Sequence, residues 1–105
     1  MQISDLKRRI ENSPAIMLYF EGEQCNVCRA LKPKLFEAFD KNFPKIEKVA
    51  VDVGGNSEVA AQFGVFSIPT AIIFLDSKEF ARVGRNVSIA ALVEQIKRPY
   101  EMMFS

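Results

Sequence analysis

The chain has 105 residues, 49% of them hydrophobic and 26% charged, the size and balance of one globular domain spanning 1–105 and not of a disordered chain. Fourteen lysines and arginines against thirteen aspartates and glutamates leave a formal charge of +1, too little to recruit nucleic acid or an anionic membrane. The opening Met1-Gln2-Ile3-Ser4-Asp5-Leu6-Lys7-Arg8-Arg9 lacks the apolar stretch of a signal peptide and no later run approaches the ~20 apolar residues of a membrane span, so the chain is expected to be cytoplasmic. A monomer is expected as well, although no feature of the sequence specifies the oligomeric state.

Ser4 before Asp5 reads as a helix start, with Ile3, Leu6 and Ile10 at helical spacing up to the break at Asn12-Ser13-Pro14. Ala15 to Phe20 is a continuous apolar run without alternation, the pattern of a strand covered on both faces, and is the candidate centre of a sheet. Glu21-Gly22-Glu23-Gln24 forms a loop whose two carboxylates, lacking a partner motif, read as solvent-facing. A long helix begins near Cys25, with Leu31, Leu35, Phe39 and Phe43 stepping by four along one side. Pro33 inside it is expected to bend it, because proline lacks the amide hydrogen and crowds the carbonyl one turn earlier.

Ile46 to Val51 reads as a second strand, and Asp52 to Asn56 as a loop into a short helix from Ser57 to about Phe63, stopped by Gly64. Ala71 to Leu75 and Glu79 to Val83, joined around Asp76-Ser77-Lys78, read as an antiparallel hairpin ended by Gly84. Ile89, Leu92, Val93 and Ile96 mark a last amphipathic helix, which Pro99 follows. A strand–helix–strand unit followed by a helix and a hairpin implies an α/β fold, a mixed sheet of about four strands flanked by helices on both faces. The expected strand order is the Ile46 strand, the Ala15 strand, the Ala71 strand and the Glu79 strand.

The two cysteines, Cys25 and Cys28, are separated by Asn26-Val27, too close to act as a stapling framework, and the chain has no histidine. Cys25 falls where the central strand feeds a helix amino end, whose unpaired amides and partial positive charge stabilise a thiolate. Cys25 is therefore the expected nucleophile, and Cys28 the thiol that resolves the mixed disulfide. Arg29 and Lys32 would lower the Cys25 pKa while Glu21 and Glu23 would raise it, with a net lowering expected. A closed zinc site needs more ligands than one cysteine pair, so a metal would require carboxylates or two chains sharing one ion. No metal and no bound cofactor are expected.

From about Ser4 to Ile96 these residues resemble the thioredoxins. Pro33, five residues after Cys28, matches the proline in that family's active-site helix, and Ser67-Ile68-Pro69-Thr70 matches its cis-proline segment. Lys48 and Asp52 look like its second-strand lysine and strand-end aspartate, and Gly84 like the glycine closing its last strand. The resemblance implies a thioredoxin fold and a thiol–disulfide oxidoreductase acting on disulfide-containing proteins or small disulfides, recharged by a donor resembling thioredoxin reductase. It implies a cis bond at Ile68–Pro69, substrate held in extended form by the Ile68 backbone, and a shallow apolar landing surface of Phe66, Val27 and Gly84.

The departures are specific. The usual tryptophan-cysteine-glycine-proline-cysteine is Gln24-Cys25-Asn26-Val27-Cys28 here, and the chain has no tryptophan. Tyr19 stands where the family has a buried aspartate that accepts the second cysteine's proton; a phenol is neutral near pH 7, leaving water, aided by Lys48, to take that proton. The family's first edge strand has no counterpart, since only Met1-Gln2-Ile3 precede the first helix. Two other readings stay open: a binding or adaptor module with a regulatory disulfide, and an enzyme working as an oxidant or isomerase.

Overall fold

The computed structural model describes residues 2–105. Within them the elements run α1 (Ile3–Asn12), β1 (Ala15–Glu21), α2 (Asn26–Asn42), β2 (Glu47–Asp52), α3 (Ser57–Gln62), β3 (Thr70–Leu75), β4 (Lys78–Val83) and α4 (Ile89–Phe104). The sheet order is β2-β1-β3-β4, with β1 parallel to β2 and antiparallel to β3, and β3 antiparallel to β4. This is the mixed four-stranded order expected from the sequence. No strand precedes α1 among the described residues, and Met1 lies outside them.

The continuous apolar run of β1 is explained by burial on both sides of the sheet. Ala15, Met17 and Tyr19 face a core shared with Leu35 and Phe39 of α2 and Leu92 and Ile96 of α4. Ile16, Leu18 and Phe20 face a second core with Leu6 and Ile10 of α1 and Val59 and Ala60 of α3. Every residue from Ala15 to Phe20 is fully buried, and each large side chain among them contributes roughly 1.5–3 kcal/mol of apolar transfer.

Three local expectations are corrected. Ser4 is not the cap of α1: the helix begins at Ile3 after Gln2, whose side chain makes no capping bond, and Ile3 packs against the second core. Lys78 belongs to β4 rather than the turn, which consists of Asp76 and Ser77, both at positive φ (52° and 67°), as a tight two-residue hairpin requires. The Ser77 hydroxyl reaches the carbonyls of Ile10 and Glu11, tying the turn to the end of α1.

The third correction is the largest. Pro99 does not follow α4 but lies inside it, and the helix continues to Phe104. A proline there removes a helical hydrogen bond, yet the segment beyond it has packing of its own. Tyr100 meets Phe43 at 5.0 Å and Phe104 at 4.7 Å between ring centroids, both in tilted pairs, and its hydroxyl accepts the Lys45 amide at 3.0 Å. Such aromatic pairs each contribute about 0.5–1.5 kcal/mol beyond their burial, which offsets the lost bond.

Candidate active site

β1 delivers the chain to a loop at 22–24, and Cys25 is the amino cap of α2, with the Arg29 amide donating to its carbonyl at 3.2 Å. The Cys28 amide donates to Cys25 Sγ at 3.1 Å, so one of the orphan donors of the helix start points at that sulfur. Cys25 and Cys28 form a disulfide, with Cα atoms 5.2 Å apart. Cys25 is half-buried at the surface, whereas Cys28 is 1% exposed.

Tyr19 lies directly behind the pair. Its hydroxyl donates to the Cys28 carbonyl at 2.8 Å, and its ring meets Phe36 edge to face. Burial, reinforced by the negative charge of Glu21, pushes the phenol up to about 12. Its proton is therefore held, and Tyr19 anchors the first turn of α2 to β1.

Lys48 is not brought to the dithiol. Its ammonium pairs with Asp40, twelve residues beyond Cys28 and about 18 Å along the helix at a rise of ~1.5 Å per residue. Glu21 is likewise not a solvent-facing loop carboxylate: it ends β1, is half-buried, and pairs with Lys32 at 3.0 Å. Lys32 sits one turn beyond Cys28 and lies over the Phe36 ring at 5.7 Å. The opposing effects expected of Glu21 and Lys32 on Cys25 thus come from two partners of one ion pair, whose fields largely cancel at a distance. Pro33 lies inside α2 with its ring exposed.

The opposite wall of the site is the 67–70 loop. The Ile68–Pro69 peptide is cis and Pro69 is buried. The Thr70 hydroxyl donates to the Ser67 carbonyl at 2.7 Å, closing the loop on itself. Two glycines allow close approach: a Cβ on Gly22 would meet Ile68 Cδ1 at 2.9 Å, and one on Gly84 would touch the Pro69 carbonyl at 3.6 Å. Arg82 of β4 donates to the carbonyls of Phe63 (2.8 Å) and Gly64 (3.1 Å), bracing the segment that carries Phe66.

Cys25 and Ile68 line a common groove of about 810 Å³, with Glu23, Asp52 and Arg85 on its walls. A second groove of about 520 Å³ runs along Ser67, Ile68, Pro69, Gly84 and Arg85. Phe66 (89% exposed) and Val27 (37% exposed) project nearby as large apolar side chains left in water. The fold thus assembles Cys25, Cys28, Tyr19, Ile68, Pro69 and Gly84, leaves Phe66 and Val27 at the surface, and removes Lys48. Thr70, Arg82, Gly22 and Arg85 join the site without any local sequence signal beyond their nearness to Pro69, Gly64, Cys25 and Gly84. Among the described residues no group of three or more histidines, cysteines, aspartates or glutamates is placed to hold a metal ion, and no helix is long and apolar enough to cross a membrane.

The family model described as Thioredoxin matches residues 2–98. The thioredoxin-like protein YdfQ of Bacillus subtilis is 34% identical over 85 residues, covering 81% of this chain and 75% of its own length. Thioredoxin of Chlamydia muridarum is 39% identical over 70 residues, covering 67% of this chain and 68% of its own. Among solved structures, thioredoxin 1 of Thermosipho africanus superposes with a TM-score of 0.73 at 36% identity, over 86% of this chain and 99% of that one. With a disulfide-forming CxxC pair capping the helix that follows the central strand, and a match over nearly its whole length, this chain belongs to the thioredoxin family of thiol–disulfide oxidoreductases.

Proposed function

We propose that Cys25 attacks the disulfides of substrate proteins and that Cys28 resolves the intermediate, while Ile68 and Pro69 hold the substrate chain in extended form along the groove. The Cys25 thiolate attacks one substrate sulfur, breaking the substrate disulfide and releasing a thiolate that takes a proton from water. The Cys28 thiolate then attacks Cys25 Sγ, freeing the second substrate thiol. Two electrons pass from the dithiol to the substrate, and Cys25 and Cys28 end as a disulfide. The observation that carries the assignment is the Cys28 amide aimed at Cys25 Sγ, at the one cysteine that reaches the surface. A preorganised donor favours the anion on that sulfur and leaves buried Cys28 as the second actor.

Tyr19 takes no proton in this scheme: its hydroxyl is already donating, and a phenol held near 12 is no base at neutral pH. Cys28 gives its proton to water. The same reading has the protein working as a monomer in a reducing, cytoplasmic setting, recharged by a donor resembling thioredoxin reductase. Both of its cysteines sit at this one site, so no stapling disulfide asks for an oxidising compartment.

The test is reduction of an insulin-type disulfide by protein recharged with dithiothreitol. Wild type should accelerate it, Cys25→Ser should return it to the uncatalysed rate, and Cys28→Ser should trap a mixed disulfide through Cys25. Reduced protein that transfers no electrons, or a Cys25→Ser variant that matches wild type, overturns the scheme in favour of an adaptor with a passive disulfide. A redox potential well above that of thioredoxins would reverse the direction of work to oxidation or isomerisation.

A further inference from the structure

The strand order places four segments side by side at one end of the sheet. The carboxyl ends of β2, β1 and β4 and the amino end of β3 meet there, so the residues across that end run from Asp52, through the Cys25 loop and Ile68-Pro69, to Gly84 and Arg85. Charge changes sign along this line. Asp52 and Glu23 bring acidic residues to the lining of the groove that contains Cys25, and Arg85, just past the end of β4, brings a basic one to the same lining.

Arg85 also lines the groove on the other side of Ile68, with Ser67 and Pro69, and so flanks the path of any strand laid along the Ile68 backbone. It differs from the other arginines around it. Arg82 is bound to Glu79 and two carbonyls, and Arg29 to the Glu23 carbonyl. Arg85 is exposed and makes no ion pair or side-chain hydrogen bond among the described residues. Its backbone is nevertheless held, since the Val87 amide donates to the Gly84 carbonyl at 3.1 Å across it.

Building on the substrate path proposed above, we infer that Arg85 is a specificity residue that binds a carboxylate of the substrate within two residues of the attacked cysteine, on the β4 side of the site. Adjacent strands lie ~4.8 Å apart and an extended chain advances ~3.3 Å per residue, so a side chain one or two positions from a cysteine held at Cys25 comes within reach of the β4 edge. The guanidinium offers a two-pronged match to a carboxylate. The acidic side of the groove repels the same carboxylate if the chain is laid down in the opposite sense, so Arg85 and the Asp52–Glu23 side together set direction as well as affinity.

The carboxylate has two chemical sources, an acidic side chain of a protein or the free carboxylates of a small thiol peptide, and the experiment separates them. Two peptide disulfides differing only in Asp against Asn two residues from the attacked cysteine are compared with glutathione disulfide against its ethyl ester. Wild type is expected to prefer acid over neutral by about three- to tenfold in kcat/KM, the range of a partly exposed charge-assisted pair. The preference should lie in KM and shrink as salt rises from ~50 to ~500 mM. Arg85→Ala should bring the ratio to one, Arg85→Glu should invert it, and Arg85→Lys should keep part of it. A ratio that changes only for the peptide pair names a protein side chain as the ligand; one that changes only for the glutathione pair names the small thiol. Equal rates for acid and neutral substrates in wild type, or a preference that survives Arg85→Ala, overturn the inference while leaving the dithiol chemistry intact. Loss of turnover of every disulfide in wild type would overturn both.

Discussion

The two ends of α2 share one helix and one stepping of apolar residues, yet they are built for opposite purposes. At the carboxyl end Phe39 and Phe43 are fully buried and meet edge to face at 5.4 Å, and Phe43 is covered by Tyr100, itself backed by Phe104 from the prolonged α4. At the amino end Cys25 is half-exposed, Phe66 and Val27 stand in water, and Arg85 has no partner among the described residues. Aromatic packing is concentrated away from the dithiol, and the reactive end is left open enough to meet a second chain. Tyr19 joins the two regimes, with its ring in the core and its hydroxyl on the first turn of the helix.

Substitutions at the two ends should separate activity from stability. The largest effect is expected from Cys25→Ser, which removes catalysed insulin reduction entirely while changing the unfolding free energy of the reduced protein by under ~1 kcal/mol; a large loss of stability would contradict an open amino end. Phe43→Ala is its mirror image. It should cost about 3–5 kcal/mol in urea unfolding, as for other buried aromatics truncated to alanine, with turnover per folded molecule close to wild type.

Tyr19→Phe tests the residue between them. Losing the bond to the Cys28 carbonyl should cost on the order of 1–2 kcal/mol at neutral pH. The pH dependence has a definite sign. The folded phenol is held at about 12 against an ordinary 10, so the unfolded chain gives up this proton first. Its contribution to stability is intact below pH 10 and is lost as pH rises toward 12, by on the order of 2–3 kcal/mol. The gap between wild type and Tyr19→Phe should therefore close across that window and leave the variant at least as stable as wild type near pH 12, and a constant gap in parallel unfolding curves would refute the assignment. The smallest effect is expected at Phe66→Ala: stability within ~0.5 kcal/mol of wild type, as for an exposed side chain, and a KM for a protein disulfide raised about two- to fivefold if the ring is covered by substrate.

What the chain makes legible is what depends on neighbours in sequence. The apolar run 15–20, the spacing of Leu35, Phe39 and Phe43, the Cys25–Cys28 pair at a strand–helix junction and the sheet order all follow from local periodicity and connection rules. Their physical basis lies in a few adjacent residues, and the structure keeps them. The resemblance added Ile68, Pro69 and Gly84, which no period or spacing marks as parts of one site.

Other assignments depended on where a long side chain ends after distant elements have packed, and there the tertiary structure decided. Lys48 turns to Asp40 rather than to Cys28, Glu21 turns inward to Lys32, and Pro99 is carried inside α4 because Phe43 waits on another element to receive Tyr100. Arg85 becomes part of the site only because β4 lies beside β3, whose amino end carries Pro69. By itself the sequence determined the scaffold and the reacting pair, since helices, strands and a CxxC turn are local events. The charges and walls around that pair were decided by the fold, since a flexible charged side chain has several partners within reach and only the packed neighbours select one.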